Sequence, residues 1–412
     1  MFYYTDQGRS FCSYHGDLPL PRAKGLPAEG PVVFLTRQSP LAGRTGFAVS
    51  DCGVLTEDQN EELLCRRDGG DVPPEVAAAV AAGRVRGIGM GHPRWREMLD
   101  GPQAPKKLRL HLLALGDVGS TLLQGLRLLG GDVLSKIGIC DVRPGVAERW
   151  EFELNQIGLP WQYDALPPVE IVGMEDLFDC DVFLFCVSKY VPDVSVKTGD
   201  VRMAQYAANG PLVAGYGRMA REQGFRGRFC VVSDPVDQLC LSALTASNLD
   251  GNGTMDGQGL WPQQVRGFGL GVMNARAAYY AKKDARFGDF LIDGRTFGPH
   301  GEDLVVANSI ARYDDALSRE LTDKVAHANL EMRALGFKPF VAPALSSGAL
   351  SVLAALRGEW HCSSVYMDGI FMGCKNRDAQ NGVEIERLPL PEALVSRIRE
   401  TAARLRQVET VL

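Results

Sequence analysis

The sequence predicts an α/β fold built on a parallel sheet, and three observations carry that reading. Residues 108–142 hold a strand-length apolar run, a glycine-bearing turn, a helical spacing and a second strand, which make a βαβ unit. Residues 181–187 (DVFLFCV) are continuously apolar, the pattern of a strand buried on both faces. Strand patterns then alternate with helix patterns up to Ser233, as an open parallel sheet requires. A mixed α+β region follows the sheet, and a small α+β appendage precedes it. The expected division is an appendage over 1–105, a parallel-sheet domain over 106–250 and a second domain over 251–412.

In the appendage, residues 31–36 (PVVFLT) and 46–55 read as strands, and 74–82 as an Ala-rich helix. Residues 87–92 read as a Gly-rich turn with His92 on the surface, 93–99 as a short helix and 101–107 (GPQAPKK) as a linker. In the βαβ unit, strand 108–115 leads to helix 121–129, and strand 135–140 ends at Asp141. A helix over 202–223, interrupted early by Gly210-Pro211, precedes strand 228–233, which Asp234-Pro235-Val236-Asp237 closes. Residues 244–259 form a polar, Gly-rich loop between the halves. Beyond it come helix 274–283, short strands at 290–294 and 296–298, helices at 313–335 and 349–356, strands at 360–372 and 381–386, and a charged helix over 391–408.

The composition, with 45% hydrophobic and 23% charged residues, is that of an ordinary globular chain. A net charge of −6 and the lack of a large basic block argue against a nucleic-acid partner. No stretch has the length needed to cross a bilayer, and the first residues lack the pattern of a signal peptide. The ten cysteines are scattered without a C-x-x-C pair, which reads as reduced thiols in a cytoplasmic protein.

The turn Ala114-Leu115-Gly116-Asp117-Val118-Gly119 gives A-x-G-x-x-G between strand and helix, with Asp141 roughly 20 positions on. Gly116 lets backbone approach a pyrophosphate, and Gly119 lets helix and strand pack closely. The helix start supplies free N–H groups and the positive end of a dipole. Asp141 is placed to accept hydrogen bonds from an adenosine ribose, which favours NAD over NADP. The fold expected is therefore a Rossmann-type parallel sheet that binds a dinucleotide. Gly116, Asp141, Ser188 and Asp234 all fall at or just past strand ends, where such sheets bind ligands.

From about Lys107 onward, roughly three quarters of the length, the chain resembles the lactate/malate dehydrogenase family, the L-2-hydroxyacid dehydrogenases. The pieces stand in the family's order: the glycine turn, Asp141, VVSDPVD at 231–237 for V-S-N-P-V-D, GFGLGVMNAR at 267–276 for G-x-G-x-x-L-D-x-A-R, and GPHGED at 298–303 for G-x-H-G-D. The resemblance implies NAD-dependent interconversion of a 2-oxo acid and a 2-hydroxy acid, no metal, and a homodimer or homotetramer. It implies that Asp117, Val118, Val187 and Ser188 join Gly116, Gly119 and Asp141 at the cofactor. His300, in a glycine-flanked loop, becomes the proton donor, since an imidazole serves in both directions near neutral pH. His111 reads as packed, His327 as helical and His361 as lying in a strand. Arg276 is assigned the substrate carboxylate, which a guanidinium grips with two parallel bonds. Arg202 stands seven residues before Asn209, the family's spacing between a loop arginine and a helix asparagine, and takes the carbonyl-polarising role; Lys189 and Lys197 compete for it.

Two departures stand against the family pattern. Met273 replaces the aspartate that normally orients the histidine, and Asp234 replaces an asparagine. One expectation joins them: Asp234 becomes the carboxylate partner of His300. Two other readings stay open, a non-catalytic NAD-binding protein and a dehydrogenase with a changed, amine-bearing substrate. Residues 343–348 (PALSSG) fall where the family builds its side-chain pocket, although Ser346 and Ser347 read equally well as loop or helix-cap residues.

Overall fold

The computed structural model describes residues 1–66, 69–100, 107–189 and 201–412, with Val201 and Arg202 described by their backbone alone. The chain opens on a hairpin, β1 (Phe2–Asp6) and β2 (Arg9–Ser13), which the sequence reading did not foresee. It turns through Gln7 and Gly8, both at positive φ. β3 (Val32–Thr36), β4 (Gly46–Ala48), α1 (Pro74–Ala81) and β5 (Val85–Gly89) follow. Of the expected turn at 87–92, residues 87–89 are thus strand and 90–92 form the turn. Gly87 serves packing there, because a Cβ would stand 2.0 Å from the Phe47 ring. His92 is not on the surface. It is 2% exposed, sits edge-on to Trp261, and burial pushes its pKa down to about 4.

The central part follows the expected alternation: β6 (Leu108–Leu113), α2 (Asp117–Leu129), β7 (Leu134–Cys140), α3 (Val146–Asn155), β8 (Val169–Ile171), β9 (Val182–Phe185), α4 (Val201–Glu222), β10 (Arg228–Val231), α5 (Val236–Ser247) and β11 (Val265–Gly267). These strands lie in the order β8-β7-β6-β9-β10-β11, every neighbouring pair parallel. This is the Rossmann order, with its switch point between β6 and β9. The period of two sorts the side chains onto two faces. Val182 and Leu184 pack with Leu122, Leu123 and Leu126 of α2, while Phe183 and Phe185 pack with Val236, Leu239 and Ala243 of α5. Each fully buried leucine of α2 contributes about 1.5–3 kcal/mol.

The C-terminal part adds α6 (Leu270–Lys283), α7 (Phe290–Asp293), the ribbon β12 (Arg295–Phe297) and β13 (Val305–Ala307), and α8 (Asp315–Ala334). A π-helical segment (Pro343–Leu350) runs into α9 (Ser351–Leu356), and β14 (His361–Met367), β15 (Ile370–Ala379), β16 (Gly382–Ile385) and α10 (Glu392–Arg406) complete the chain. Further expectations are corrected. α4 runs through Gly210-Pro211 without the expected interruption. Residues 290–293 are helical rather than strand. α5 runs through Ser247, so the inter-half loop starts later than 244. The expected strand at 360–372 is two strands, split at Asp368 and Gly369, both at positive φ. The strand expected over 46–55 ends at Ala48, and a short 3-10 turn takes Cys52–Val54. The linker residues 101–106 lie outside the described residues, as do 190–200 of the segment carrying Lys197.

β14 pairs antiparallel with β11, β15 and β16 continue the meander, and β16 meets β4 at Val383 and Phe47. Among the described residues one 14-stranded sheet therefore runs from the N-terminal hairpin to β8.

Candidate active site

The glycine turn after β6 is held by the neighbouring strand. Ala114 takes a left-handed conformation (φ 75°), and its N–H donates to the Cys140 carbonyl at 2.8 Å. An L residue there bears strain that glycine would not. A Cβ at Gly116 would meet nothing within 4 Å, so this backbone is open to a ligand. A Cβ at Gly119 would stand 2.0 Å from the Ala114 carbonyl oxygen, so only glycine lets α2 start here. The first N–H groups of α2 lack partners within the helix, as at any helix start. Asp117, the first residue of α2, bonds Lys338 Nζ at 3.1 Å, and Val118 packs into the core beside it. A pyrophosphate fits this open cradle.

Asp141 follows β7, and its side chain is only 3% exposed. Oδ2 accepts from the Leu115 N–H at 2.7 Å and Arg143 Nη2 at 2.8 Å, and Oδ1 accepts from Arg143 N and Nε, both at 2.9 Å. Burial works to raise this carboxyl's pKa; the Arg143 and backbone hydrogen bonds outweigh it and hold it below the usual range.

Across the switch point, Val187 and Ser188 follow β9, the first half-buried and the second exposed. Burial pushes the thiol of Cys186 beside them up to about 12, which disfavours the thiolate. Asn209, fully buried on α4, accepts from the Lys189 N–H and donates to the Asp234 carbonyl, both at 2.9 Å. It ties the end of β9 to the turn after β10. Arg202 belongs to the first turn of α4, and its side chain lies outside the described residues.

The second cluster gathers at the ends of β10 and β11. His300 is half-buried, and its Nδ1 lies 3.1 Å from the Gly269 carbonyl oxygen. A carbonyl only accepts, so Nδ1 carries the proton and Nε2 is the nitrogen that gains or loses one. A Cβ at Gly269 would lie 2.9 Å from His300 Cβ, which requires glycine at that position. The same carbonyl accepts from Ser347 Oγ at 2.6 Å, and Ser347 Oγ accepts from the Val272 N–H at 2.8 Å. Residues 343–348 thus form a helical support that packs on α2, with Ala349 against Gly125.

Arg276 lies on α6 with Nη1 3.5 Å from Met273 Sδ and 3.4 Å from the Val325 carbonyl. Burial lowers its pKa from the ordinary value, while the charges of Tyr280 and Asp234 act the other way. Asp234 is therefore within electrostatic reach of Arg276. Any pairing of Asp234 with His300 would have to run through Nε2, because Nδ1 is taken.

Two residues of this cluster, Asp237 and Ser364, had no role in the sequence reading, and Ser347 was read there only as a pocket, loop or helix-cap residue. Asp237 lies in the first turn of α5 and is buried, accepting from Ser364 Oγ on β14 and from the His300 backbone N–H. Burial raises its pKa to about 7; these hydrogen bonds oppose the rise, and the nearby charge of Asp234 adds to it. Ser364 and Ser347 lie far from it in sequence. The signal for Asp237 was its place in the VVSDPVD motif; neither serine carries one. Among the described residues, no group of three or more His, Cys, Asp or Glu side chains is arranged to hold a metal, and no helix is long and apolar enough to cross a membrane.

No family model matches the chain. It is 26% identical to the L-lactate dehydrogenase of Mesomycoplasma hyopneumoniae and 28% identical to that of Treponema denticola, each over 208 residues. That stretch is 50% of this chain and 58% of either relative, so the chain matches little more than half the length of its curated relatives. In fold it is similar to a lactate dehydrogenase from a Medee basin deep-sea metagenome library (TM-score 0.58, 19% identity, 74% of this chain and 98% of the other). It is also similar to the malate dehydrogenase of Archaeoglobus fulgidus in complex with NADH (TM-score 0.57, 18% identity, 73% and 97%). The chain is thus similar in sequence to L-lactate dehydrogenases over half its length, and similar in fold to lactate and malate dehydrogenases over nearly three quarters.

Proposed function

We propose that the chain is a dehydrogenase that interconverts a 2-oxo acid and a 2-hydroxy acid. The observation that carries this reading is His300, its Nδ1 on the Gly269 carbonyl, at the carboxyl end of a Rossmann sheet. The cofactor of this reading is NAD(H), which when bound supplies or accepts the hydride at the substrate's C2. Gly116, Asp117, Val118 and Gly119 would hold its pyrophosphate, Val187 and Ser188 would flank it across the switch point, and Asp141 would mark its adenosine end. His300 Nε2 donates a proton to the nascent alkoxide in reduction and takes it back in oxidation. Arg276 binds the substrate carboxylate, and Arg202 polarises the carbonyl. Asp237 and Ser347 position His300 without touching substrate.

A homodimer or homotetramer in the cytoplasm completes the proposal, with the 106–250 region as cofactor domain and 251–412 as substrate domain. Asp234, within electrostatic reach of Arg276, favours one second reading, a substrate that carries an amine as well as a carboxylate. The test is oxidation of reduced nicotinamide by the purified chain across a panel of 2-oxo acids, some bearing amines. Turnover with a simple 2-oxo acid is expected. Turnover confined to amine-bearing compounds selects the second reading, and cofactor binding with no turnover on any of them contradicts both.

A further inference from the structure

At the end of β7 the exposed member of the ion pair is a cation, where the sequence motif suggests an acid. An ionised carboxylate has about four acceptor positions. At Asp141 they face four donors of the chain itself: the Leu115 N–H and the N–H, Nε and Nη2 of Arg143. No acceptor is left for a ribose hydroxyl while that arrangement holds. Asp141 is also the inner partner, 3% exposed, whereas the Arg143 side chain is 56% exposed. A ligand reaching the end of β7 therefore meets a guanidinium first. Asp117, the other acid of this turn, is likewise engaged by an exposed cation, Lys338.

An acidic residue at this strand end selects for a free 2′-hydroxyl, and an arginine accommodates a 2′-phosphate. The planar guanidinium, fixed by Asp141 through one edge, keeps other N–H groups for phosphate oxygens. We infer that Arg143 turns the adenosine-ribose subsite toward a 2′-phosphate, so that the chain takes NADPH at least as tightly as NADH. The inference rests on the dinucleotide reading of the glycine turn and names which nicotinamide dinucleotide that site accepts.

The experiment is equilibrium binding of NADPH and NADH to the full chain by calorimetry, for wild type and Arg143→Ala, with no substrate present. NADPH is expected to bind wild type at least as tightly as NADH. Arg143→Ala should weaken NADPH by about tenfold or more, the loss of a charge-assisted contact, and leave NADH within about threefold. A wild-type preference for NADH of tenfold or more overturns the inference alone, as does an equal effect of Arg143→Ala on both. That result would mean Arg143 swings aside and frees Asp141 for a ribose. Binding of neither dinucleotide overturns the reading of the glycine turn and this inference with it. Arg143→Lys separates charge from geometry: it should keep part of the NADPH affinity.

Discussion

Asp141 follows β7 and Asp237 lies in the first turn of α5, and both carboxylates are buried among hydrogen-bond donors. Their titration moves in opposite directions. Asp141 is held below the usual carboxylate range, while Asp237 is pushed up to about 7. Burial alone would raise both. Asp141 also has the full positive charge of Arg143, whereas Asp237 has a hydroxyl and two backbone N–H groups to set against burial and the neighbouring Asp234. At Asp237 the neutral donors do not outweigh burial and a like charge, whereas at Asp141 the arginine tips the balance. The end of β7 therefore holds a fixed ion pair, and the proposed catalytic end holds a carboxyl, Asp237, that burial pushes up to about 7.

The largest expected effect separates the two ends. His300→Asn should lower turnover by roughly 10²–10⁴-fold, the usual contribution of a positioned acid–base group, while cofactor affinity stays within about twofold. Steady-state kinetics beside equilibrium binding reads both. Arg276→Ala removes the guanidinium from the substrate side. It should lower kcat/KM by roughly 10–100-fold, mostly through KM, as loss of hydrogen bonds to a charged group does. An unchanged KM would move the carboxylate site elsewhere.

Asp237 sharpens the comparison through stability. Its native pKa of about 7 lies above the ordinary 3.8, so between those values the folded chain binds more protons than the unfolded one. Stability should fall as pH rises through that window, by up to about 1.4 kcal/mol per unit. Asp237→Asn removes the titration, and the fall in Tm between pH 5 and pH 7.5 should be shallower than in wild type. An equal or steeper fall would contradict the assignment. The smallest effect concerns Ala114. Replacing it with glycine relieves the left-handed strain but frees the unfolded chain, for a net gain of about 1 kcal/mol or less in chemical denaturation.

How much was legible depended on the range of the contacts. The βαβ unit, the buried strand at 182–185 and the close packing at Gly119 were readable, because each rests on local periodicity or on backbone that no side chain can share. The π-helical segment at 343–350 was not, since it is fixed by packing on α2, more than two hundred positions away. β5 was misread because Gly87 and Gly89 look like turn residues until Phe47 is seen lying over Gly87. At the site, His300 and Arg276 could be named from motif alone. The partners that give His300 its proton geometry, the Gly269 carbonyl and Ser347, could not, because a backbone carbonyl has no signature in a sequence. Asp141 shows the converse. Its identity was plain, but the occupation of its acceptors by Arg143 appears only when both side chains are placed.

Transfer of label from cofactor to product tests the central claim most directly. The chain would be given reduced nicotinamide dinucleotide deuterated at the transferring position, with a 2-oxo acid, and the product examined by mass spectrometry. The account predicts one deuterium on C2 of a 2-hydroxy acid, formed by wild type and abolished by His300→Asn. Unlabelled product, or labelled product formed equally fast by the His300→Asn protein, would contradict it.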